Sequence, residues 1–321
     1  MQIGSLSVPG IVALAPMAGV TDLAFRTVCA QMGADLTVTE MVSSRALVYQ
    51  DQKSKGLLKK NAGSICGAQI FGNDPAIMAD AAQMAAEISG CDFIDINMGC
   101  PMPKIANNGD GCGLMKDPAL AGKIIRAVSD ALDIPATVKC RLGWDKGSIN
   151  VESFAKTMED NGAAALTVHG RTRSMLYTGV ADWDTIGKVK KQLSIPLIAN
   201  GDIVSGPKAV ECLRRSGADY IAVGRAAFGD PWLFTEIGQA VRGEEITPRP
   251  PLQERMELAK RQILIALEDK GERVACLEAR KHLAWYLRGV AYAGYYKNQI
   301  CQISSVDQAM EIIKGIQKDL K

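Results

Sequence analysis

Aromatic residues are scarce in this 321-residue chain: six Phe, four Trp and seven Tyr make up 5% of it, while hydrophobic residues reach 47%. So few large rings argue against an all-β core. The abundance of Ala, Ile, Val and Gly favours parallel strands covered by Ala-rich helices. Histidine is rarer still, with two copies. The nine cysteines include no CxxC pair and are scattered, which excludes a zinc ribbon and fits no disulfide scaffold. No metal is expected. Cys29, Cys66, Cys91, Cys212, Cys276 and Cys301 are expected to be small buried hydrophobes. No apolar run approaches membrane-spanning length, and the opening MQIGSLSVPG lacks the basic-then-apolar form of a signal peptide. A soluble cytoplasmic protein without a membrane partner is the expectation. The net charge of +2 distinguishes no partner, and nothing in the sequence specifies an oligomer.

What the chain does have is a run of short apolar segments. They fall at 11–19, 36–42, 65–72, 93–99, 135–143, 165–172, 196–202 and 220–227, each with the continuous Val/Ile/Ala/Leu character of strands buried on both faces. Segments of helical spacing separate most of them, clearest at 74–88, 117–132 and 150–162. Asp74, Asp117 and Asn150 stand at their starts as capping residues. Gly33, Gly90, Gly162 and Gly217 stand where helices hand over to strands. Eight strands alternating with helices predict an α/β fold, the (β/α)8 TIM barrel. An open doubly wound sheet is the competitor, but its dinucleotide-binding type carries GxGxxG after the first strand, and this chain does not.

Past residue 243 the pattern changes. PRPP (248–251) is too stiff to lie within a helix, and only helical periodicity follows it. The expected division is a barrel over 1–243, a Pro-rich linker over 244–252 and a small all-helical domain over 253–321. Residues 246–321 carry 13 Lys/Arg against 9 Asp/Glu, a net +4, which leaves −2 for the remainder of the +2 total. That asymmetry points weakly to a polyanionic partner.

In such a barrel the chemistry sits at the C-terminal ends of the strands. Those ends carry Pro16, Met17, Ala18 and Gly19; Glu40; Gln69; Asn97 and Cys100; Lys139 and Arg141; His169, Arg171 and Arg173; Asn200, Gly201 and Asp202; and Gly224 with Arg225. Polar groups in register at one end of apolar strands are costly to bury unless they meet a ligand or one another. Gly201 and Gly224–Arg225 follow strands seven and eight, where barrels hold phosphates, though two ordinary glycine turns would read the same. Lys139 calls for an anion, a ligand's or that of Glu40 or Asp95. His169 is either a satisfied core residue or part of the site. A phosphate site, a lysine and an amide together suit a ligand with both a phosphate and an anionic ring.

APMAGVTD (15–22), QIFG (69–72), DINMGCP (95–101), VHGRTR (168–173), IANGDI (198–203) and VGRAAFGDPW (223–232) resemble the dihydrouridine synthase family, flavoenzymes that reduce selected uridines in tRNA. ARKHLAWYL (279–287) is similar to the bacterial B-type subfamily. The resemblance runs in order along nearly the whole chain. It implies FMN across the barrel mouth, bordered by Pro16, Met17 and Ala18. Gln69 would bond the pyrimidine edge of the ring, and Lys139 would stabilise its negative charge when reduced. His169, Asn200, Gly201, Asp202, Gly224 and Arg225 would surround the ribityl and phosphate end. Asn97, Arg171 and Arg173 would face the substrate, Arg280 and Lys281 would contact RNA, and NADPH would supply electrons. Cys100 would be the general acid, a thiol of near-neutral pKa on a mobile loop, delivering a proton to C5 of uracil opposite the hydride at C6. Trp285 and Tyr286 at helical spacing suit core positions as well as base stacking; Arg288, Tyr292, Tyr295 and Tyr296 are further RNA-contact candidates. His282 is expected to be structural or close to RNA. One departure is Cys112-Gly113, where the family loop usually has a small Ser-Ala pair; Cys112 is expected to be structural.

Three rivals remain at this level. A dihydroorotate-dehydrogenase-like FMN enzyme would act on a free pyrimidine and would need neither the basic tail nor the HGRTR arginines. A non-catalytic RNA-binding barrel would need no thiol at the mouth, and a sugar-phosphate-binding barrel would need no flavin.

Overall fold

The computed structural model describes residues 1–62 and 64–320. Eight parallel strands close on themselves: β1 (Val12–Leu14), β2 (Leu36–Val38), β3 (Ile65–Phe71), β4 (Phe93–Met98), β5 (Ala136–Cys140), β6 (Leu166–His169), β7 (Leu197–Asn200) and β8 (Tyr220–Val223). Each pairs with the next, and β8 returns to β1 through Ile221 opposite Val12. The chain is therefore a (β/α)8 barrel with a helical C-terminal portion. A hairpin, Gln2–Ile3 with Leu6–Ser7, precedes the barrel. Its Ile3 is fully buried with the inward residues Ala13, Leu36, Phe93 and Ile198. Among the described residues no helix is long and apolar enough to cross a membrane.

The surrounding helices follow from local sequence. In the helix Pro75–Ser89, Asp74 accepts the N–H groups of Ala76 and Ile77, proline occupies the first turn, and Gly90 ends it at φ 58°. Met78, Ala81, Ala82 and Ala85 recur at helical spacing and face the sheet. Such a cap is worth about 1 kcal/mol. Gly33, Gly90, Gly162 and Gly217 all take positive φ at helix-to-strand transitions. Asn150 departs from expectation. It precedes the helix Val151–Asp160 without capping it, because its amide is drawn instead to the carbonyl of Met115 at 2.7 Å.

Residues 244–251 are irregular, and four helices follow: Leu252–Lys270, Glu272–Tyr286, Gly294–Ile300 and Val306–Asp319. They share a separate core that includes Met256, Ile263, Leu283, Tyr286, Ile300 and Ile313. They meet the barrel along the helix Leu23–Gln31. There Phe25 lies against His282, Phe228 stacks on Trp285 at 4.2 Å, and Lys270 pairs with Asp22 at 2.8 Å. Cys301 is exposed rather than buried; it ends the short helix Gly294–Ile300 on its outer side, where the chain turns towards the next helix.

Candidate active site

Inward-facing positions alternate along a strand, so one strand samples the barrel interior at several heights. On β4 these are Phe93, Asp95 and Asn97, apolar at the bottom and polar at the top. Phe93 fills the lower interior so closely that a Cβ on Gly67 would lie 2.4 Å from its ring. Above it, Asp95 accepts bonds from Thr137 and from Gln69, each at 2.6 Å. Burial pushes its carboxyl up against the effect of those bonds and of Lys139. The Gln69 carbonyl in turn accepts Asn97 Nδ2 at 2.9 Å. Thr137, Asp95, Gln69 and Asn97 thus form one buried polar chain rising to the mouth.

Asn97 ends that chain at the turn bearing Cys100. Its Oδ1 accepts the N–H of Gly99 at 3.1 Å and of Cys100 at 2.9 Å. Arg141, two residues beyond Lys139 and almost fully buried, donates Nε to the Gly99 carbonyl at 2.9 Å. The Cys100 carbonyl accepts Cys112 N–H at 3.1 Å. The turn is therefore pinned on three sides. Cys100 is half-buried, and burial pushes its thiol up despite the Met102 N–H, Arg141 and Lys139. The near-neutral expectation is corrected accordingly: the resting group is a protonated thiol. Cys112 is fully buried, with its thiol pushed up to about 12 by burial.

Lys139 makes no ion pair or hydrogen bond among the described residues. Asp95 is engaged as above, and Glu40 accepts the N–H of Gly19. Removal from water, then Arg141, depresses the Lys139 ammonium to about 8. His169 is buried, and desolvation together with Lys139, Arg141, Arg171 and Arg225 holds its pKa well below the ordinary value. The ring is neutral. Arg171 approaches its Nε2 at 3.3 Å and can only donate, so the proton belongs on Nδ1.

Arg171 was expected to face the substrate. Its guanidinium is instead turned inward, donating to Asp202 at 2.7 Å and to the carbonyls of Thr178 and Gly179. Asp202 also takes the Ala181 N–H at 2.7 Å and sits at φ 56°. Gly201, at φ 117°, admits no side chain: a Cβ would lie 2.8 Å from Ala181 and 2.9 Å from the His169 ring. Asn200 donates Nδ2 to the Ala222 carbonyl at 2.7 Å. Gly224 leaves open space, and Met17 Sδ, 3.7 Å from where its Cβ would be, brings the loop of Pro16, Met17 and Ala18 alongside. Arg225 is exposed, with Cζ 4.7 Å from the Tyr177 ring, and Arg141 lies 5.7 Å from that ring. Arg173 packs on Trp144 at 4.5 Å.

In the helical portion, Arg280 is committed by Nε and Nη2 to the Ile303 carbonyl at 3.0 and 2.7 Å. Lys281 donates to the carbonyl of Gly19, in the loop beside Met17. Both groups join protein to protein, because their neighbouring helix ends and loops present bare carbonyls. Trp285 and Tyr286 are packing residues, the latter bonding Gln262 at 3.0 Å, and Tyr296 is buried. Tyr292, 93% exposed, and Arg288 are exposed without side-chain hydrogen bonds among the described residues, while Tyr295, 67% exposed, accepts Gln299 Nε2 at 3.0 Å. His282 is buried. Tyr177 had no signal in the sequence. Arg141 had one, its place just past the end of β5, two residues after Lys139.

The sequence profile of dihydrouridine synthase matches residues 13–320. A tRNA-dihydrouridine synthase B of Pseudomonas aeruginosa is 41% identical over 308 residues, covering 96% of this chain and 92% of that protein. A probable tRNA-dihydrouridine synthase of Rickettsia conorii is 41% identical over 303 residues, covering 94% and 91%. Among solved structures, morphinone reductase in complex with tetrahydroNAD aligns at TM-score 0.54 and 14% identity, covering 78% of this chain and 92% of that one. A Rhizobium histamine dehydrogenase aligns at TM-score 0.60 and 13% identity, covering 83% and 50%. The structural likenesses speak for the barrel fold alone.

Proposed function

The chain belongs to the dihydrouridine synthase family, and on that premise we propose that it reduces the C5=C6 bond of particular uridines in tRNA to 5,6-dihydrouridine, with FMN as cofactor and NADPH as electron source. The mouth suits such a cofactor. Lys139 makes no ion pair among the described residues, His169 offers an unspent Nδ1–H, and Gly201 leaves bare backbone where a Cβ would collide. Pro16, Met17, Ala18, Gln69 and Lys139 would border the ring. His169, Asn200, Gly201, Asp202, Gly224 and Arg225 would line its phosphate end, with Asp202 acting through Arg171. When bound and reduced, the flavin supplies the hydride that goes to C6 of the uracil.

The observation that carries the reading is the thiol at the mouth. Cys100 is held by Asn97 and Arg141, stays protonated, and is one of only two thiols among the described residues that are not buried. Its Sγ–H bond breaks as a C5–H bond forms, and the thiolate left behind sits near Arg141 and Lys139, whose charges favour it. Solvent then restores the proton. The uridine must leave the RNA stack to reach this depth. We assign residues 1–243 to catalysis, 244–252 to a linker and 253–321 to holding RNA, with Arg288, Tyr292 and Tyr295 as the exposed groups suited to phosphate contact and stacking. Asn97 and Arg173 would meet the substrate directly.

The test is anaerobic. Protein reduced with NADPH should be reoxidised rapidly by unmodified tRNA and not by free uridine. Reoxidation by free pyrimidines instead would favour the dihydroorotate-dehydrogenase-like alternative, and a protein that purifies without flavin would end the proposal. Cys100→Ala should retain flavin and its reduction by NADPH while tRNA product falls by about 10²-fold or more; normal product formation would remove the proton-donor role.

A further inference from the structure

We propose that Lys116, Trp144 and Arg173 form a phosphate clamp on the barrel rim, which holds one backbone phosphodiester of the RNA strand flanking the extruded uridine. This deepens the function proposed above and rests on it. Lys116 Nζ lies 3.3 Å from the centre of the Trp144 ring, and Arg173 Cζ lies 4.5 Å from it. Two cations converge on one indole, and neither has a carboxylate within ion-pair reach among the described residues. The nearest acids in sequence are engaged elsewhere. Asp117 caps the helix Pro118–Asp130 through the Leu120 N–H, and Asp145 bonds Gly147 and Ser148. Among the described residues Arg173 reaches only Asn107 Oδ1, at 3.4 Å, and its buried Nε has no partner.

An indole face attracts one cation, but it does not neutralise two. Like charges gathered without a counterion are disfavoured unless an anion joins them. The backbones that present them are fixed. The N–H groups of Arg173 and Ser174 bond the carbonyls of Gly143 and Trp144, each at 2.9 Å, and Asn150 holds the carbonyl of Met115. The same loops fix Cys100, through Cys112 N–H and Arg141, so the clamp is in register with the thiol. It follows β4, β5 and β6, whereas Gly201, Gly224 and Arg225 follow β7 and β8. The phosphate assigned to it is the RNA's, not the cofactor's. Guanidinium and ammonium are the groups that grip a nucleic-acid backbone, and here the indole holds the two together.

The experiment compares binding of unmodified tRNA by the flavin-loaded full chain and its variants over about 50–200 mM salt. Lys116→Gln combined with Arg173→Gln should weaken binding about tenfold and lower the salt slope by about one, the share of one phosphate contact. Trp144→Phe, which keeps a ring, should weaken it less. Lys123→Gln removes one positive charge from the exposed face of the helix Pro118–Asp130 and should change binding less than about twofold. Thermal unfolding unchanged from wild type certifies that each variant is folded. A folded double variant with wild-type affinity and salt slope overturns the clamp and leaves the synthase reading intact. Unchanged tRNA binding with lost binding of polyglutamate would assign the cations to an acidic protein instead. Failure of the wild type itself to bind tRNA would take down both readings.

Discussion

His169 and His282 are the chain's two histidines, both buried and both held neutral, and their surroundings differ. At the mouth, His169 is met by four cations and a guanidinium bond on Nε2. At the seam between barrel and helices, His282 is depressed to about 4, chiefly by burial and against the pull of Asp22, and neither ring nitrogen has a partner among the described residues. Beside it, Lys270 joins Asp22 at 2.8 Å and Glu278 at 2.6 Å. Burial and the neighbouring Asp22 push Glu278 up to about 7, while the bond from Glu278 and the charge of Lys270 hold Asp22 low against burial. The seam matches its charges internally, as a structural joint must. The mouth leaves an excess of positive charge and unspent donors aimed at one place, the mark of a site completed by a ligand.

The sharpest way to break the comparison is at its glycines. Gly229→Ala would place a Cβ 2.2 Å from the carbonyl carbon of Trp285 at φ 68°, a backbone collision that cannot relax locally. We expect a loss of about 3 kcal/mol or more, seen as a lower unfolding midpoint and proteolysis near 244–251. Gly201→Ala should act at the mouth alone, through the His169 ring. Flavin content should fall severely at a smaller cost in stability, about 1–3 kcal/mol for strained backbone. Full flavin occupancy in Gly201→Ala would refute the placement of the cofactor.

A smaller effect is expected at Asn97. Asn97→Ala leaves the N–H groups of Gly99 and Cys100 unsatisfied, at about 1–3 kcal/mol if they stay buried, and frees the thiol turn. tRNA reduction should drop about 10–100-fold, in line with the loss of a positioned acid, while NADPH still reduces the flavin.

The smallest effect is a pH profile. Glu278 binds its proton more tightly folded than unfolded, so its contribution to stability is complete below about 4.5 and is lost as pH rises through about 7. Glu278→Gln lacks this dependence. The stability of the wild type relative to Glu278→Gln should therefore decline by about 1–2 kcal/mol from pH 4.5 to 7, discounted from the full linkage value for partial exposure. His282 acts with the opposite sign between 6.5 and about 4, where the unfolded state takes up the proton. A parallel pair of stability curves would show that the seam holds no shared proton.

Legibility in the sequence follows the range of the physics. β4 reads as a strand from its own residues, and Asn97 was legible as the polar group at its C-terminal end. Lys139 on β5 and Arg141 just past its end were likewise read as strand-end residues. Arg171 illustrates the limit. Its position after β6 was plain, but a guanidinium reaches several ångströms, and its direction was decided by Asp202, 31 residues away. Arg280 and Lys281 had the composition of an RNA-binding pair, yet each meets a protein carbonyl, of Ile303 and of Gly19.

The sequence by itself determined the alternation of buried strands and capped helices, the rise from apolar to polar residues along each inward face, and the presence of a thiol just past β4. These depend on periods of two and 3.6 residues and on caps next in the chain. Tertiary structure alone decided that Asn97 and Arg141 pin the Cys100 turn, that Lys139 forms no ion pair among the described residues, and that Lys116 and Arg173 meet over one indole. Those outcomes depend on which loops close the barrel beside one another, and on long side chains choosing among partners that only the closed barrel brings within reach.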